Sequence, residues 1–245
     1  MSQIAKNPCL TLLETEIREL IIKNKKVVGV KTQDKNLYCK KVIITTGTYM
    51  KAITHIGDIK QEEGPSHHRR SETLSGQLEK LGFKIIRLKT GTPPRIYKDS
   101  IDYDKMSIEL GTKDKLSFSH FDQRFVPLKK QQVCYLTYTN AKTHEIINKN
   151  IHKSAMYSGQ ISGVGPRYCP SIEDKIVRFA NKPRHQIFIE PESLSLDTMY
   201  LQGLSTSLPK DVQEKLVHSI AGLEKAKFKK YAYAIEYDAI DARDL

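Results

Sequence analysis

The chain has 245 residues, 39% hydrophobic and 28% charged, which suits a globular protein with one large core or two modest ones. It holds no run of 18 apolar residues, and its opening "MSQIAKNPCL" lacks the apolar stretch of a signal peptide, which argues against a membrane span or a secreted class. Cys9, Cys39, Cys134 and Cys169 form no CxxC pair, so a disulfide framework or structural zinc is not expected and a reducing cytoplasm fits. The net charge of +12 favours a polyanionic partner such as nucleic acid, beside the plainer reading of solvated lysines.

In chain order, "EIRELII", "VVGVKT" and "LYCKKVIITTG" are apolar, β-branched runs between the polar turns "KNKK" and "QDKN", which predicts a three-stranded antiparallel meander. Val42–Thr46 reads as a strand buried on both faces, ending at Gly47. The polar stretch 57–70 reads as a loop. A helix follows, with Ser71 as its cap, Leu74, Leu78 and Leu81 on one face, and Gly82 at its end. "FKIIRLK" is a strand and "TGTPPR" a rigid turn. Residues 96–132 have little periodicity. "QVCYLTYT" is a strand and "THEIINKNIHKSAM" a helix with Ile146, Ile147 and Ile151 inward. Ser171 opens the next helix, with Asp174 three residues on as a capping-box partner. "HQIFIEPE" is a strand. Pro209 begins a helix striped with Val212, Leu216, Val217 and Ile220, and "YAYAIEYD" is the last strand. Strands alternating with helices predict α/β layers, with the meander as an antiparallel addition.

Several stretches could carry chemistry. "GVGPRY" (163–168) begins like a dinucleotide fingerprint but lacks the third glycine and a clear preceding strand, so the motif is weak and the pattern favours a glycine turn. In "GPRYCPSIEDK", Cys169 stands just ahead of the helix opened by Ser171 and two residues after Arg167. Both neighbours favour thiolate over thiol, which makes a nucleophile of it; a small buried hydrophobe is the other reading. "HHRR" (67–70) and "KAKFKK" (225–230) are either solvated charge runs or phosphate contacts, with Phe228 interleaved in the second. Glu190 and Glu192 flank a proline and read as a structural turn.

The blocks "VIITTGTY", "RLKTGTPPRI", "CYLTYTNAKTHEII", "MYSGQISGVGPRYCPSIEDKIVRFA", "HQIFIEPE", "GLSTSLPKDVQEKLVHSIAGLEKAK" and "YAIEYDAID" together resemble the tRNA uridine 5-carboxymethylaminomethyl modification enzymes, the MnmG or GidA family. The resemblance covers essentially the whole chain. It implies a partial glutathione-reductase-like FAD-binding domain with an inserted second α/β domain: residues 1–95 and 201–245 on the FAD side and 96–200 as the inserted, NAD-side domain. It implies FAD, NAD(H) and a methylene-folate donor as participants. tRNA is the implied substrate, and the GTPase MnmE the implied partner in a heterotetramer built on a homodimer. By resemblance Ile17 and Ser71 contact FAD. The segment Gly165, Pro166, Arg167, Tyr168, Cys169, Pro170, Ser171, Ile172, Glu173, Asp174, Lys175, Ile176, Val177, Arg178 and Phe179 is the one assigned to NAD. Cys169 matches one of two cysteines given a catalytic role.

The chain departs from the family pattern where the FAD pyrophosphate is gripped. No GxGxxG stands near its start, and "EGPSHHRRS" replaces the usual glycine-rich stretch before Ser71. The expectation is therefore a central fragment that holds FAD weakly by itself. Two rivals stay open at the level of sequence: a non-catalytic RNA- or protein-binding fragment, and a related folate- and FAD-dependent tRNA methyltransferase.

Overall fold

The computed structural model describes residues 6–117, 120–121, 124–166 and 170–245. The chain is a mixed α/β protein built on antiparallel sheets and divides into two compact units: 1–52, 62–87 and 237–245 in the first, 53–61 and 88–236 in the second. No helix among the described residues is long and apolar enough to cross a membrane.

The first unit contains the meander. β1 (Ile17–Lys23) pairs with β2 (Lys26–Thr32), and β2 with β3 (Asn36–Tyr38). The β1–β2 link is the two-residue turn Asn24–Lys25, both at positive φ (50° and 59°), the backbone twist that a tight hairpin needs. The helix α1 (Leu74–Lys80) docks on β1 through Gln77, whose amide oxygen accepts from Leu20 N (2.6 Å) and whose amide nitrogen donates to Leu20 O (2.8 Å). Met50, Leu74 and Leu78 form its core, with Leu20, Ile85 and Ile240 packed against them.

Three expectations for this region fail. Residues 40–46 form no strand, and Ile43 is 88% exposed; a strand buried on both faces needs flanking strands, and no described strand pairs with this stretch. Ser71 does not cap α1. Thr73 holds the N-cap position, and Ser71 forms a parallel bridge with Met50, so its backbone is committed to sheet-like pairing. Leu81 turns out to solvent, because the helix stops at Lys80 and Gly82 takes the left-handed C-terminal position (φ 95°).

In the second unit, the expected loop at 57–70 contains a hairpin instead: β4 (Ile53–Ile56) pairs with β5 (Ile59–Gln61) across Gly57, at φ 58°. β6 (Ile85–Thr92) runs on through "TGT", so the rigid turn is confined to Pro93–Pro94 before β7 (Arg95–Tyr97). The short β8 (Ser107–Glu109) is followed by β9 (Cys134–Tyr138). Next come α2 (Ala141–Asn150), α3 (Ile172–Arg178), β10 (Gln186–Pro191), β11 (Thr198–Gln202), α4 (Lys210–Val217), β12 (Phe228–Lys230) and β13 (Tyr233–Ile240).

Six strands make one antiparallel sheet in the order β12-β7-β11-β10-β9-β8. The anticipated domain limits at 95/96 and 200/201 both cut strands of this sheet, β7 and β11, because chain order alone does not reveal pairing. Along β10, Ile187 and Ile189 are buried and Gln186 exposed, the alternation of a half-covered strand. Their partners in the core come from α2 (Ile147), α3 (Ile172, Ile176) and α4 (Val212, Leu216, Val217). α3 and α4 have seven and eight residues, too short to be stable alone, so this packing is what makes them helices. The N-termini of α2 and α3 are signalled locally: Asn140 and Thr143 form a capping box at α2, and Ser171 and Asp174 form the one expected at α3.

Candidate functional site

The residues expected to act fall in two places. Ile17 begins β1, half-buried, and Ser71 lies two residues before Thr73, whose hydroxyl donates to Arg18 O. The meander and the start of α1 are thus drawn together in the first unit. Ser71 keeps its hydroxyl without a partner among the described residues, so it fits a role as one polar contact to a bound group; it offers no phosphate cradle.

The segment 165–179 belongs to the second unit. Arg167, Tyr168 and Cys169 lie outside the described residues. Gly165 and Pro166 are exposed. Just before them, the buried carboxylate of Glu236 holds the chain. Its Oε1 accepts from Ser162 N (2.9 Å), Ser162 Oγ (3.1 Å) and Gly163 N (2.7 Å), and its Oε2 lies 3.0 Å from His55 Nε2. Gly163 must be glycine for a steric reason: a Cβ there would stand 2.9 Å from the Leu88 carbonyl oxygen and 3.2 Å from Glu236 Oε1. Gly163 of "GVGPRY" therefore serves close backbone packing at this point.

After the segment's undescribed middle, α3 is fixed from several sides. Ser171 Oγ accepts from Asp174 N (3.2 Å), Asp174 Oδ2 accepts from Ser171 N (3.0 Å), and Ile172 N donates to Ser205 O (2.8 Å). Tyr157 donates to Asp174 Oδ1 (3.1 Å), and burial together with that carboxylate pushes its hydroxyl up to about 12. Glu173 is fully buried. Its Oε1 accepts from Ser154 Oγ (2.9 Å), Thr206 Oγ1 (2.9 Å) and Ser207 N (3.2 Å), while its Oε2 has no hydrogen-bond partner among the described residues. Ile172 and Ile176 face the core; Val177, Arg178 and Phe179 face outward.

Pro170, Lys175 and Phe179 line one wall of a cleft of about 580 Å3, in the range of small-ligand sites. Lys182, Arg184, His185, Tyr138 and Phe188 complete its working surface, and no carboxylate lines it. The Arg184 guanidinium lies over the Tyr138 ring (4.0 Å) and the Lys182 ammonium over Phe179 (5.2 Å). Lys175 Nζ donates to Gly203 O (3.2 Å); Gly203 sits at φ 105°, open only to glycine in practice. His185 is held below its ordinary range by burial first, then by His144, Lys175 and Lys182, so it is neutral at pH 7. Three cations beside three aromatic faces suit a ligand with phosphates and a flat ring. Sequence reasoning missed Lys182 and Arg184 because "NKPRHQ" reads as an ordinary charged loop before a strand.

The arginines of "HHRR" are ion-paired, whereas the lysines of "KAKFKK" are exposed. Arg70 pairs with Glu62 (2.7 Å) and Glu72 (2.6 Å), and Arg69 with Glu16 (3.1 Å). Phe228 stacks on Tyr231 (4.9 Å) and packs against the core, so it is not an exposed base-stacking ring. Glu192 pairs with Arg95 (3.0 Å). Among the described residues no cluster of metal ligands occurs.

The family model of glucose inhibited division protein A matches residues 1–245. The tRNA uridine 5-carboxymethylaminomethyl modification enzyme MnmG of Malacoplasma penetrans is 55% identical over 242 residues, 98% of this chain and 39% of that protein. The enzyme of the same name from Mycoplasma genitalium is 50% identical over 245 residues, 100% of this chain and 40% of that one. Among solved structures, Aquifex aeolicus GidA superposes with a TM-score of 0.85 at 43% identity, covering 98% of this chain and 41% of that chain. The chain thus spans about two fifths of the length of the curated relatives it matches.

Proposed function

The chain belongs to the GidA (MnmG) family, and on that premise we propose that it is the central part of a flavin-dependent enzyme that adds a carboxymethylaminomethyl group to C5 of the wobble uridine of tRNA, acting with the GTPase MnmE. The observation that carries the reading is 55% identity sustained over 98% of the chain with relatives named for that modification. The same identity favours this activity over the tRNA methyltransferase alternative. FAD would supply the redox chemistry, with Ile17 and Ser71 among its contacts. We assign NAD(H) to the cleft beside α3: Lys182 and Arg184 would meet its phosphates, and Tyr138, Phe179 and Phe188 its flat rings. Residues 1–95 and 201–245 would belong to the FAD side and residues 96–200, which carry β8, β9 and β10, to the NAD side. Cys169 would add as a thiolate to the pyrimidine ring and so activate C5 for bond formation. A cytoplasmic homodimer joined to MnmE in a heterotetramer follows from the same family reading.

The test is a chimera. The corresponding segment of the Malacoplasma penetrans protein is replaced by these 245 residues, and tRNA from a strain lacking the native enzyme is analysed by nucleoside mass spectrometry. The modified wobble uridine is expected. A folded, flavin-loaded chimera that leaves the uridine unmodified, where the unaltered relative modifies it, would overturn the proposal.

A further inference from the structure

His185 stands just before β10, is 8% exposed, and lines the same cleft as Lys175, Lys182 and Arg184. Its backbone is fixed from both directions. Its N–H donates to Thr139 Oγ1 (2.8 Å) and its carbonyl accepts from Thr139 N (3.0 Å). The ring is fixed as well. The His144 ring packs beside it, with centroids 5.5 Å apart and planes 30° apart, and His144 Nε2 is itself hydrogen-bonded to Thr139 Oγ1 (2.8 Å). The hydroxyl that holds the His185 backbone is thus shared with His144 and not with the His185 ring.

The Nε2 of His185 is buried with no hydrogen-bond partner among the described residues. The part of the residue that stays accessible lies in the cleft wall. At pH 7 the ring is neutral, since burial first, and then His144, Lys175 and Lys182, hold it below its ordinary range. A neutral imidazole carries one proton, on Nδ1 or on Nε2. Buried N–H groups without an acceptor are rarer in folded proteins than under-used acceptors. The proton therefore belongs on Nδ1, which leaves Nδ1–H as the ring's donor for the cleft. The cations around it do a different job. Lys182 and Arg184 lie over aromatic rings and Lys175 donates to Gly203 O, so they supply charge from long, adaptable side chains. A short donor on a pinned backbone supplies direction.

We propose that His185 is a ligand-binding residue of this cleft that donates Nδ1–H to a phosphate oxygen of the bound molecule. The inference rests on the reading of the cleft as a dinucleotide site. It adds a directional contact that neither the charge of the wall nor its aromatic faces provide, and it gives the one unpartnered ring in the wall a purpose.

The test is titration of the 245-residue chain at neutral pH with NADH, read by nicotinamide fluorescence, and separately with inorganic pyrophosphate, read by calorimetry. The parent is compared with His185→Leu, His185→Asn and His185→Gln. An asparagine carries its amide N–H where Nδ1–H stands, and a glutamine where Nε2–H stands. His185→Leu should weaken both ligands about tenfold, the loss of one charge-assisted hydrogen bond. His185→Asn should restore most of the affinity and His185→Gln should not, a pattern that a packing role would not produce. Undiminished binding in His185→Leu, or binding by His185→Asn no better than by His185→Gln, overturns the proposal, as does a parent that binds neither ligand. Should His185→Leu fail to fold, the comparison of the two amides decides. The dinucleotide reading is judged separately. Pyrophosphate binding that depends on His185 in a chain that ignores NADH would support His185 and remove the dinucleotide. NADH binding that Lys182→Ala weakens and His185→Leu does not would keep the dinucleotide and refute the role of His185.

Discussion

Removing the Glu236 carboxylate should unseat the approach to the 165–179 segment and destabilise the second unit. The pair it forms with His55 is almost dry, with side-chain exposures of 4% and 0%. Three further donors converge on the other oxygen: Ser162 N, Ser162 Oγ and Gly163 N. Glu236→Ala leaves all of them without their acceptor, and of the partners His55 is fully buried. Truncating one partner of a buried, hydrogen-bonded charge costs about 3–5 kcal/mol. For a chain of this size that is a fall in melting temperature of roughly 6–20 °C. Glu236→Gln retains a carbonyl oxygen for Ser162 and Gly163 but loses the charge, so its cost should be about 1–2 kcal/mol. The pH dependence has a defined sign. Burial pushes the carboxyl up, but the Gly163 and Ser162 N–H groups, the Ser162 hydroxyl and His55 pull it down further, leaving it below the ordinary glutamate value. Between the lowered folded value and the ordinary one, the unfolded chain binds the extra proton, so stability rises with pH there. The advantage of the parent over Glu236→Gln should be complete above the ordinary glutamate range and shrink as pH falls through and beneath it. Urea unfolding at pH 7 and across the acid range measures both effects. A loss below about 1 kcal/mol for Glu236→Ala would show that the clamp holds nothing.

Four other outcomes are expected. Lys182→Ala and Arg184→Ala should each weaken NADH binding to the chain about tenfold, read by nicotinamide fluorescence, and unchanged affinity in both would remove NAD(H) from the cleft. At neutral pH Cys169 should alkylate faster than Cys9, and Cys134 slowest, since burial, Glu190 and Glu109 push the Cys134 thiol up; equal rates for Cys169 and Cys9 would leave Cys169 a packing residue. Binding of tRNA should weaken steeply with salt and differ little from unrelated RNA, given a net charge of +12; a salt-insensitive, tRNA-selective gel shift would contradict this. Gly57→Ala should cost about 1–3 kcal/mol by thermal melting, because Gly57 has φ 58° and an added Cβ would lie 2.7 Å from Pro209 Cγ; a change within about 0.5 kcal/mol would mean the hairpin relaxes freely.

Much of the fold was legible where a local signal decides the outcome. The meander, β9, β10 and β13 follow from apolar runs bounded by turn residues. α3 and α4 follow from a capping box and from Pro209 ahead of an apolar stripe. What escaped was set by pairing across long stretches of chain. β11 is short and follows the mixed run Ser193–Asp197, and only its neighbours β7 and β10 make it a strand. Residues 42–46 have the composition of a buried strand and no described partner to bury them. The burial of Lys89, which is 7% exposed, was invisible for a related reason: in "RLKT" it reads as the solvent side of an alternating strand, and burial appears only once Ser205–Ser207 covers that face.

The same contrast bears on why a thiol is placed at Cys169. Sequence reasoning assigned two sources of thiolate stabilisation, the unsatisfied N–H groups at the start of α3 and the charge of Arg167. The first is largely spent. Ile172 N is given to Ser205 O, Asp174 N to Ser171 Oγ and Lys175 N to Ser171 O, and the carboxylates of Glu173 and Asp174 stand in the same turn. A carboxylate there offsets the positive end of a short helix, and so removes most of what the helix could do for a neighbouring anion. The described chain on either side is held: Glu236 and Leu88 hold Ser162–Val164, and the capping box with Ser205 holds Ser171–Asp174. We propose that this tethering of the flanks does more for the proposed nucleophile than a fractional charge, since orientation can supply several kcal/mol of a barrier and a screened helix end about one at most. On this argument Arg167→Ala should slow alkylation of Cys169 by free iodoacetamide. Glu236→Gln should leave that small-molecule rate nearly unchanged while lowering the yield of modified uridine in the chimera. Equal loss in both assays would place the effect of Glu236 on the thiol itself and refute the tethering account.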